Sequence, residues 1–278
     1  MQEGNRPNYA CGGGMLRREL NARAHDFAIR RGLLYALSDG ASPTVVFGCD
    51  DSGRHGNFHP SSFRRIRENP EYRHRLMKVH NLSRRMHVRA DWRWMELDCA
   101  HSSDALLMNV FCYPRIFTEG AFAALLGVSR KDEPRFGVPM HVPLTDGTAD
   151  RSEADMRIGD LIVESKLTES NLQSASWKTL VKYRSMEIVF NITDLPRRQD
   201  RYEGYQVIRG VLAAVARDGA YCLICDERRR DLIECFHKVT RAVVATEMRW
   251  RARLLTWQEI ASYAPQALRL FLADKYGF

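Results

Sequence analysis

Asp155, Glu164 and Lys166 are the residues whose types and spacing could do chemistry, and all three fall between Ser152 and Lys166. That stretch reads as a β-hairpin. Gly159 and Asp160 are a two-residue turn signal, and Leu161-Ile162-Val163 is apolar on both pleat faces, as in a strand buried inside a sheet. Counting outward from a two-residue loop pairs Ile158 with Leu161, Arg157 with Ile162, Met156 with Val163, Asp155 with Glu164 and Glu153 with Lys166. Side chains alternate along a strand, so Glu164 and Lys166 share a face, with Asp155 opposed at a Cβ separation of about 4.5–5.5 Å. Two carboxylates so placed repel unless one is protonated or a cation lies between them, and a hard divalent ion with oxygen ligands is the natural solution. Asp155, Glu164 and the Ser165 carbonyl would then hold Mg2+, with Mn2+ as a substitute, and Lys166 would orient or deprotonate a water. A three-residue loop would instead send the two carboxylates to different faces. The competing reading is a metal-free salt bridge in which Lys166 neutralises both acids.

Asp155, eight residues, then Glu164-Ser165-Lys166 resembles the Asp…(Asp/Glu)-x-Lys signature of the PD-(D/E)XK, or restriction-endonuclease-like, nuclease superfamily. Glu164-x-Lys166 is the chain's one acid-x-Lys triplet. The segments Lys166 to Glu169, Tyr205 to Arg209 and Ser102 to Asn109 are similar to patterns in bacterial proteins regarded as restriction endonucleases, and the resemblance covers roughly residues 95 to 278. It lacks the proline for which the superfamily is named. The resemblance implies an α/β/α sandwich around a mixed central sheet, and a Mg2+-dependent endonuclease acting on DNA, with Asp155, Glu164, Lys166 and Gln206 as catalytic residues. It turns the face carrying Gln206 and Arg209 toward the scissile phosphate. Hydrolysis of a phosphodiester needs a water made nucleophilic near neutral pH and a cation to stabilise the negative charge on the phosphorane and the leaving oxygen, which is what the trio and its metal could supply. Two rivals remain: a catalytically idle nuclease-like DNA-binding module, and a scaffold whose acidic cluster is merely salt-bridged.

The elements that must position these residues follow from periodicity and turn signals. The pattern predicts a helix over Leu16–Ala36, a strand over Thr44–Gly48, and helical structure from Ser61 to Arg93. Ser102 or Ser103 caps a helix running to about Val110, with Leu106, Leu107, Val110 and Phe111 on its apolar side, and a second helix starts at Thr118. Strands are expected over Arg135–Leu144, on both sides of the hairpin turn, over Ala220–Glu227 and over Arg251–Leu255. Ser170-x-x-Gln173 and Thr256-x-x-Glu259 match the capping box, so each marks a helix start. Ile188–Ile192 is a strand or buried turn, Tyr202–Arg217 an amphipathic helix and Arg230–Val244 another. The expected organisation is a mostly helical, basic extension over 1–94 and a nuclease-like core over 95–278.

Composition sets the remaining bounds. A chain of 278 residues with 45% apolar content can bury a proper core. No apolar run approaches the roughly 20 residues of a membrane span, so no membrane and a cytoplasmic site are expected. A net charge of +8 makes a polyanion partner plausible; DNA is the expected one, RNA is left open, and so is a homodimer. Arg84, Arg85 and Arg89, with Tyr72, Trp92 and Trp94, suit a surface that tracks phosphates beside aromatic platforms, and equally a solvated arginine face over packed tryptophans. Asp50, Asp51, His55 and His59 share one loop; turn capping is the preferred reading over metal binding, since no pair has helical or hairpin spacing. Glu153 and Glu169 read first as strand-end acids paired with arginines, second as outer carboxylates of the site, and Glu96 is a weaker candidate still. The seven cysteines are irregularly spaced and expected to be reduced, and Cys222 with Cys225 would point to opposite faces of one strand.

Overall fold

The hairpin predicted from Gly159 and Asp160 forms the middle of a five-stranded sheet. The computed structural model describes residues 12–38, 43–78, 95–118 and 120–278. The sheet is built from β1 (Pro134–Pro139), β2 (Glu153–Ile158), β3 (Leu161–Ser165), β4 (Ala220–Cys225) and β5 (Ala252–Thr256), in the order β5-β4-β3-β2-β1. Neighbours β1–β2 and β2–β3 are antiparallel, while β3–β4 and β4–β5 are parallel, so the sheet is mixed. The turn has two residues, with Ile158 opposite Leu161, Arg157 opposite Ile162 and Met156 opposite Val163. Gly159 takes φ +53°, which glycine adopts without the Cβ penalty of other residues.

Helices cover both faces, which explains why β3 is apolar without alternation. On one side α5 (Tyr205–Ala216) and α6 (Arg230–Arg241) bury Val207, Ile208, Val211 and Phe236 against Ile162 and Leu223. On the other, α3 (Ser103–Phe111), α4 (Gly120–Leu126), α7 (Trp257–Ser262) and α8 (Gln266–Tyr276) pack on Met156, Leu161, Val163 and Ile224. Leu16 and Leu20 of α1 (Gly13–Arg31) join this second layer. Each such fully buried aliphatic side chain contributes about 1.5–3 kcal/mol of transfer free energy. The architecture is therefore the α/β/α sandwich that the sequence implied. Cys222 sits in one layer and Cys225 in the other, as the strand period requires.

Several elements differ from expectation, each for a local reason. The first helix stops at Arg31 because Gly32 adopts φ +56° and its N–H turns back to Ala28 and Ile29; Tyr35–Leu37 then pairs with Val45–Phe47. The helix expected over Ser61–Arg93 is broken at Pro70, which lacks an N–H, into α2 (Pro60–Glu68), a turn over Pro70–Arg73 and a 3-10 turn over His74–Met77. The strand expected over 135–144 ends at Pro139, and His141 at φ +52° leads into a short pair of Val142–Pro143 with Ala149–Asp150. Ile188–Ile192 resolves into a helical turn, Met186–Val189, and a 3-10 turn from Ile192.

No helix opens at Ser170. Ser174–Ser176 is a strand there, followed by one turn over Trp177–Leu180. The fully buried Arg229 guanidinium takes the carbonyls of Leu167 (3.3 Å), Glu169 (2.6 Å) and Ser170 (3.4 Å), and the last of these is the one that would have accepted the first bond of a helix capped at Ser170. At Thr256 the same pattern does cap α7: Thr256 Oγ1 accepts from the Glu259 N–H at 3.1 Å, and Glu259 accepts from the Thr256 N–H at 2.7 Å. Among the described residues no helix is long and apolar enough to cross a membrane.

Candidate active site at the hairpin

Past Met156 and Val163 a side chain takes over from the backbone ladder. Oδ2 of Asp155 accepts the Ser165 N–H at 2.7 Å, tying the end of β2 to β3. Glu164 on β3 and Lys166 just past its end are both buried, and Lys166 Nζ donates to Glu164 Oε1 at 2.6 Å. Gln206, in the first turn of α5, donates its amide Nε2 to the same oxygen at 2.5 Å. The four residues named from sequence therefore meet at one place. Lys166 is fixed by its main chain as well: its N–H donates to Ile224 O at 2.8 Å and its carbonyl accepts the indole N–H of Trp257 at 3.0 Å.

Burial and the neighbouring Glu164 charge raise the Asp155 carboxyl well above the ordinary carboxylate value, and Lys166 only partly offsets this. Burial also opposes the Lys166 ammonium, yet Glu164, Asp155 and Glu169 together hold its pKa above the usual lysine value. The donor set suits a hard cation. In a strand the N–H and carbonyl of one residue point to the same side, so the Ser165 carbonyl lies on the Asp155 side, while those of Lys166 serve β4 and Trp257. Two carboxylates and one carbonyl are oxygen ligands of the kind magnesium takes. Among the described residues no three His, Cys, Asp or Glu side chains converge as a ready metal cage. Two buried polar atoms close by, Arg209 Nε and Tyr221 Oη, have no hydrogen-bond partner among the described residues, and the Tyr221 hydroxyl lies in the field of Glu164 and Asp155. Orphaned donors of this kind mark a place built to receive a further polar group.

The remaining candidates separate. Arg209 lies one turn beyond Gln206 but stacks its guanidinium 5.3 Å from the Tyr205 ring centroid, and Tyr205 in turn meets Tyr183, which donates to Asp150 at 2.6 Å. Glu153 is exposed and 3.4 Å from Arg75, as expected of a strand-end acid. Among the described residues Glu169 is not paired with an arginine side chain: its carboxylate accepts from Ser103 Oγ at 2.5 Å and from the Leu167 N–H at 2.6 Å, closing the turn after Lys166. Burial, with Asp104 and Glu169 nearby, pushes the Glu96 carboxyl up to about 7 despite Lys78 and Arg75. In the 49–60 loop His59 caps α2 by accepting from the Ser61 N–H, His55 accepts the Asn57 N–H at 3.2 Å while meeting Asp98 at 3.1 Å, and Asp50 accepts the Ser52 and Arg54 N–H groups, so the capping role holds for His55, His59 and Asp50. Arg84, Arg85, Arg89, Trp92 and Trp94 lie outside the described residues.

Sequence reasoning missed one acid beside the trio. Asp104, buried in the first turn of α3, accepts from Arg75 at 2.9 Å and Lys78 at 2.7 Å, and its charge acts on both Asp155 and Lys166. Burial alone would raise its pKa, but Lys78 and Arg75 prevail and lower it. Its signal was an acid in a helix whose every residue from Ser103 to Phe111 is buried. A family model described as "Restriction Endonuclease associating with ARP" matches residues 26–277. No curated protein and no solved structure matches the chain.

Proposed function

The chain belongs to the family of restriction endonucleases associating with ARP, and from that premise we propose that it is a metal-dependent nuclease hydrolysing phosphodiester bonds of DNA at the β2–β3 hairpin. The observation that carries this reading is the convergence of Lys166 and Gln206 on one oxygen of Glu164, beside an Asp155 whose charge is unfavourable without a cation. Asp155, Glu164 and the Ser165 carbonyl would hold Mg2+ or Mn2+. When bound, the metal supplies the Lewis acidity that makes water nucleophilic near neutral pH and offsets charge on the leaving oxygen. Gln206 keeps Glu164 in place. Lys166 spends one of its three N–H donors on Glu164 and has two left to orient a water or contact a phosphate oxygen. Arg209, one helical turn beyond Gln206 and half-buried, would place its guanidinium toward a flanking phosphate.

The short Lys166–Glu164 contact also favours a second reading, an idle DNA-binding module in which that ion pair is the resting and final state. Incubating supercoiled, linear and single-stranded DNA with Mg2+ or Mn2+ and either wild type or Lys166→Ala separates the two. Wild type is expected to cut and Lys166→Ala to lose about 10²–10⁴-fold or more, the usual size of an acid–base contribution. Cutting retained in Glu164→Gln would sink the site assignment. Binding without cutting by both proteins would favour the idle module.

A further inference from the structure

A cavity of about 810 Å³ lies away from the hairpin, among α1, the 52–58 loop, α2 and α8. Its volume is within the roughly 300–1,000 Å³ range of small-ligand sites. The walls are aromatic: Phe58 and Phe63 stack at 5.4 Å, His55 stands at 5.1 Å from the first and 5.2 Å from the second, and Phe27 meets Phe271 edge-on at 5.8 Å. The lining also holds five arginines against one acid, Glu68. Arg31 and Arg54 are paired with Asp274 and Asp50. Arg64, Arg67 and Arg73 are exposed and form no ion pair among the described residues, although Arg67 lies over the Phe63 ring at 5.9 Å. An apolar, aromatic interior rimmed by unpaired guanidinium groups matches one chemistry, a planar heterocycle carrying phosphate.

We propose that this cavity is a nucleotide-binding site, the base entering between the phenyl walls and the phosphate taken by Arg64 and Arg73. The nucleotide has two sources, a base turned out of a DNA duplex or a free mononucleotide. The wall is fastened to the hairpin side of the molecule. Asn57 donates to the carbonyls of Leu97 (2.5 Å) and Cys99 (2.9 Å), and Asn109 of α3 accepts the His59 N–H at 2.7 Å. A nucleotide in the cavity is thereby held in fixed relation to α3, the helix that carries Asp104.

Binding is tested without metal, in EDTA, so that the result does not depend on cutting. The probes are the four deoxynucleoside 5′-monophosphates, deoxyribose 5-phosphate and inorganic phosphate, titrated calorimetrically into wild type, Arg64→Ala/Arg73→Ala and Ser52→Trp. The arginines are on the surface, so the double variant should melt like wild type, and Ser52→Trp adds bulk to the lining while keeping all five arginines. At least one monophosphate is expected to bind tenfold or more tightly than deoxyribose 5-phosphate, and both variants are expected to weaken it at least tenfold. A duplex carrying a fluorescent base analogue that brightens on leaving the stack identifies the source. Brightening by wild type and not by the double variant means a turned-out base; none, with mononucleotide binding intact, means a free ligand. Equal binding of inorganic phosphate and monophosphates, or wild-type affinity in both variants, overturns the proposal.

Discussion

Glu164 accepts two charge-assisted or amide donors on one oxygen, and the consequences of removing them differ. Gln206→Ala takes away one hydrogen bond to a charged group, worth about 1.5–3 kcal/mol. It is expected to slow cutting roughly 10–100-fold, at about tenfold per 1.4 kcal/mol, and to raise the Mg2+ concentration needed for half-maximal rate. A rate titration against Mg2+ checks both. Asp155→Asn is expected to have the opposite sign for stability. With no cation present it removes an unfavourable buried charge, so the metal-free melting temperature at pH 8 should rise by a few degrees, while the stabilisation gained by adding Mg2+ disappears. Glu96 gives a pH effect. Its folded value of about 7 lies above the unfolded one near 4.5, so the folded state keeps the proton longer. Stability from this group is complete below pH 4.5 and is lost as pH rises to about 7. Glu96→Gln should therefore flatten the melting temperature across that window. Asp155, Glu164 and Lys166 were legible because they are close in sequence and joined by a turn of known geometry. Asp104 was not, since its partners Arg75 and Lys78 lie 29 and 26 residues away and reach it only through the fold.

Two matches to the same capping pattern had different fates, and the difference lies in tertiary competition. At Thr256 the side chains of Thr256 and Glu259 close the box on each other's N–H groups, whereas at Ser170 the buried Arg229 takes the carbonyls of Glu169 and Ser170. Local propensity is a weak prior where a charged side chain has to be satisfied in the interior. Arg229→Met should cost about 1–3 kcal/mol by leaving carbonyls of the 167–170 segment without their donor, and should loosen that segment in hydrogen exchange. The strands of the sheet were easier to read, because an uninterrupted apolar run bounded by turn residues has few other homes. Close approach of α5 to β4 was invisible in sequence: a Cβ on Gly210 would stand 2.1 Å from the Tyr221 ring. Gly210→Ala is expected to cost about 1–3 kcal/mol in chemical denaturation and to slow cutting by moving Gln206, which rides on the same helix. A variant as stable and as active as wild type would show that α5 has slack.

At the scale of the whole molecule, charge announced a polyanion partner only as a bias, while the layering of helices on a mixed sheet followed from the order of elements. What sequence order concealed is how far apart in the chain the joined pieces are. Strand β3 pairs with β4 only after α5 has been inserted, β5 closes the sheet edge, and α8 returns to α1, where Asp274 meets Arg30 and Arg31 at 2.7 Å. Such non-local pairing makes folding slow. The Trp257 indole on the Lys166 carbonyl has a consequence for synthesis. The lysine leaves the ribosome long before the tryptophan that fixes its main chain, and before β4, one of the two strands that flank β3, is made. A nascent chain halted short of Ala252 should therefore be protease-sensitive and harmless to DNA, and released full-length chain should cut. Fixing the hairpin lysine would in this way wait until the segment that carries Trp257 has been made.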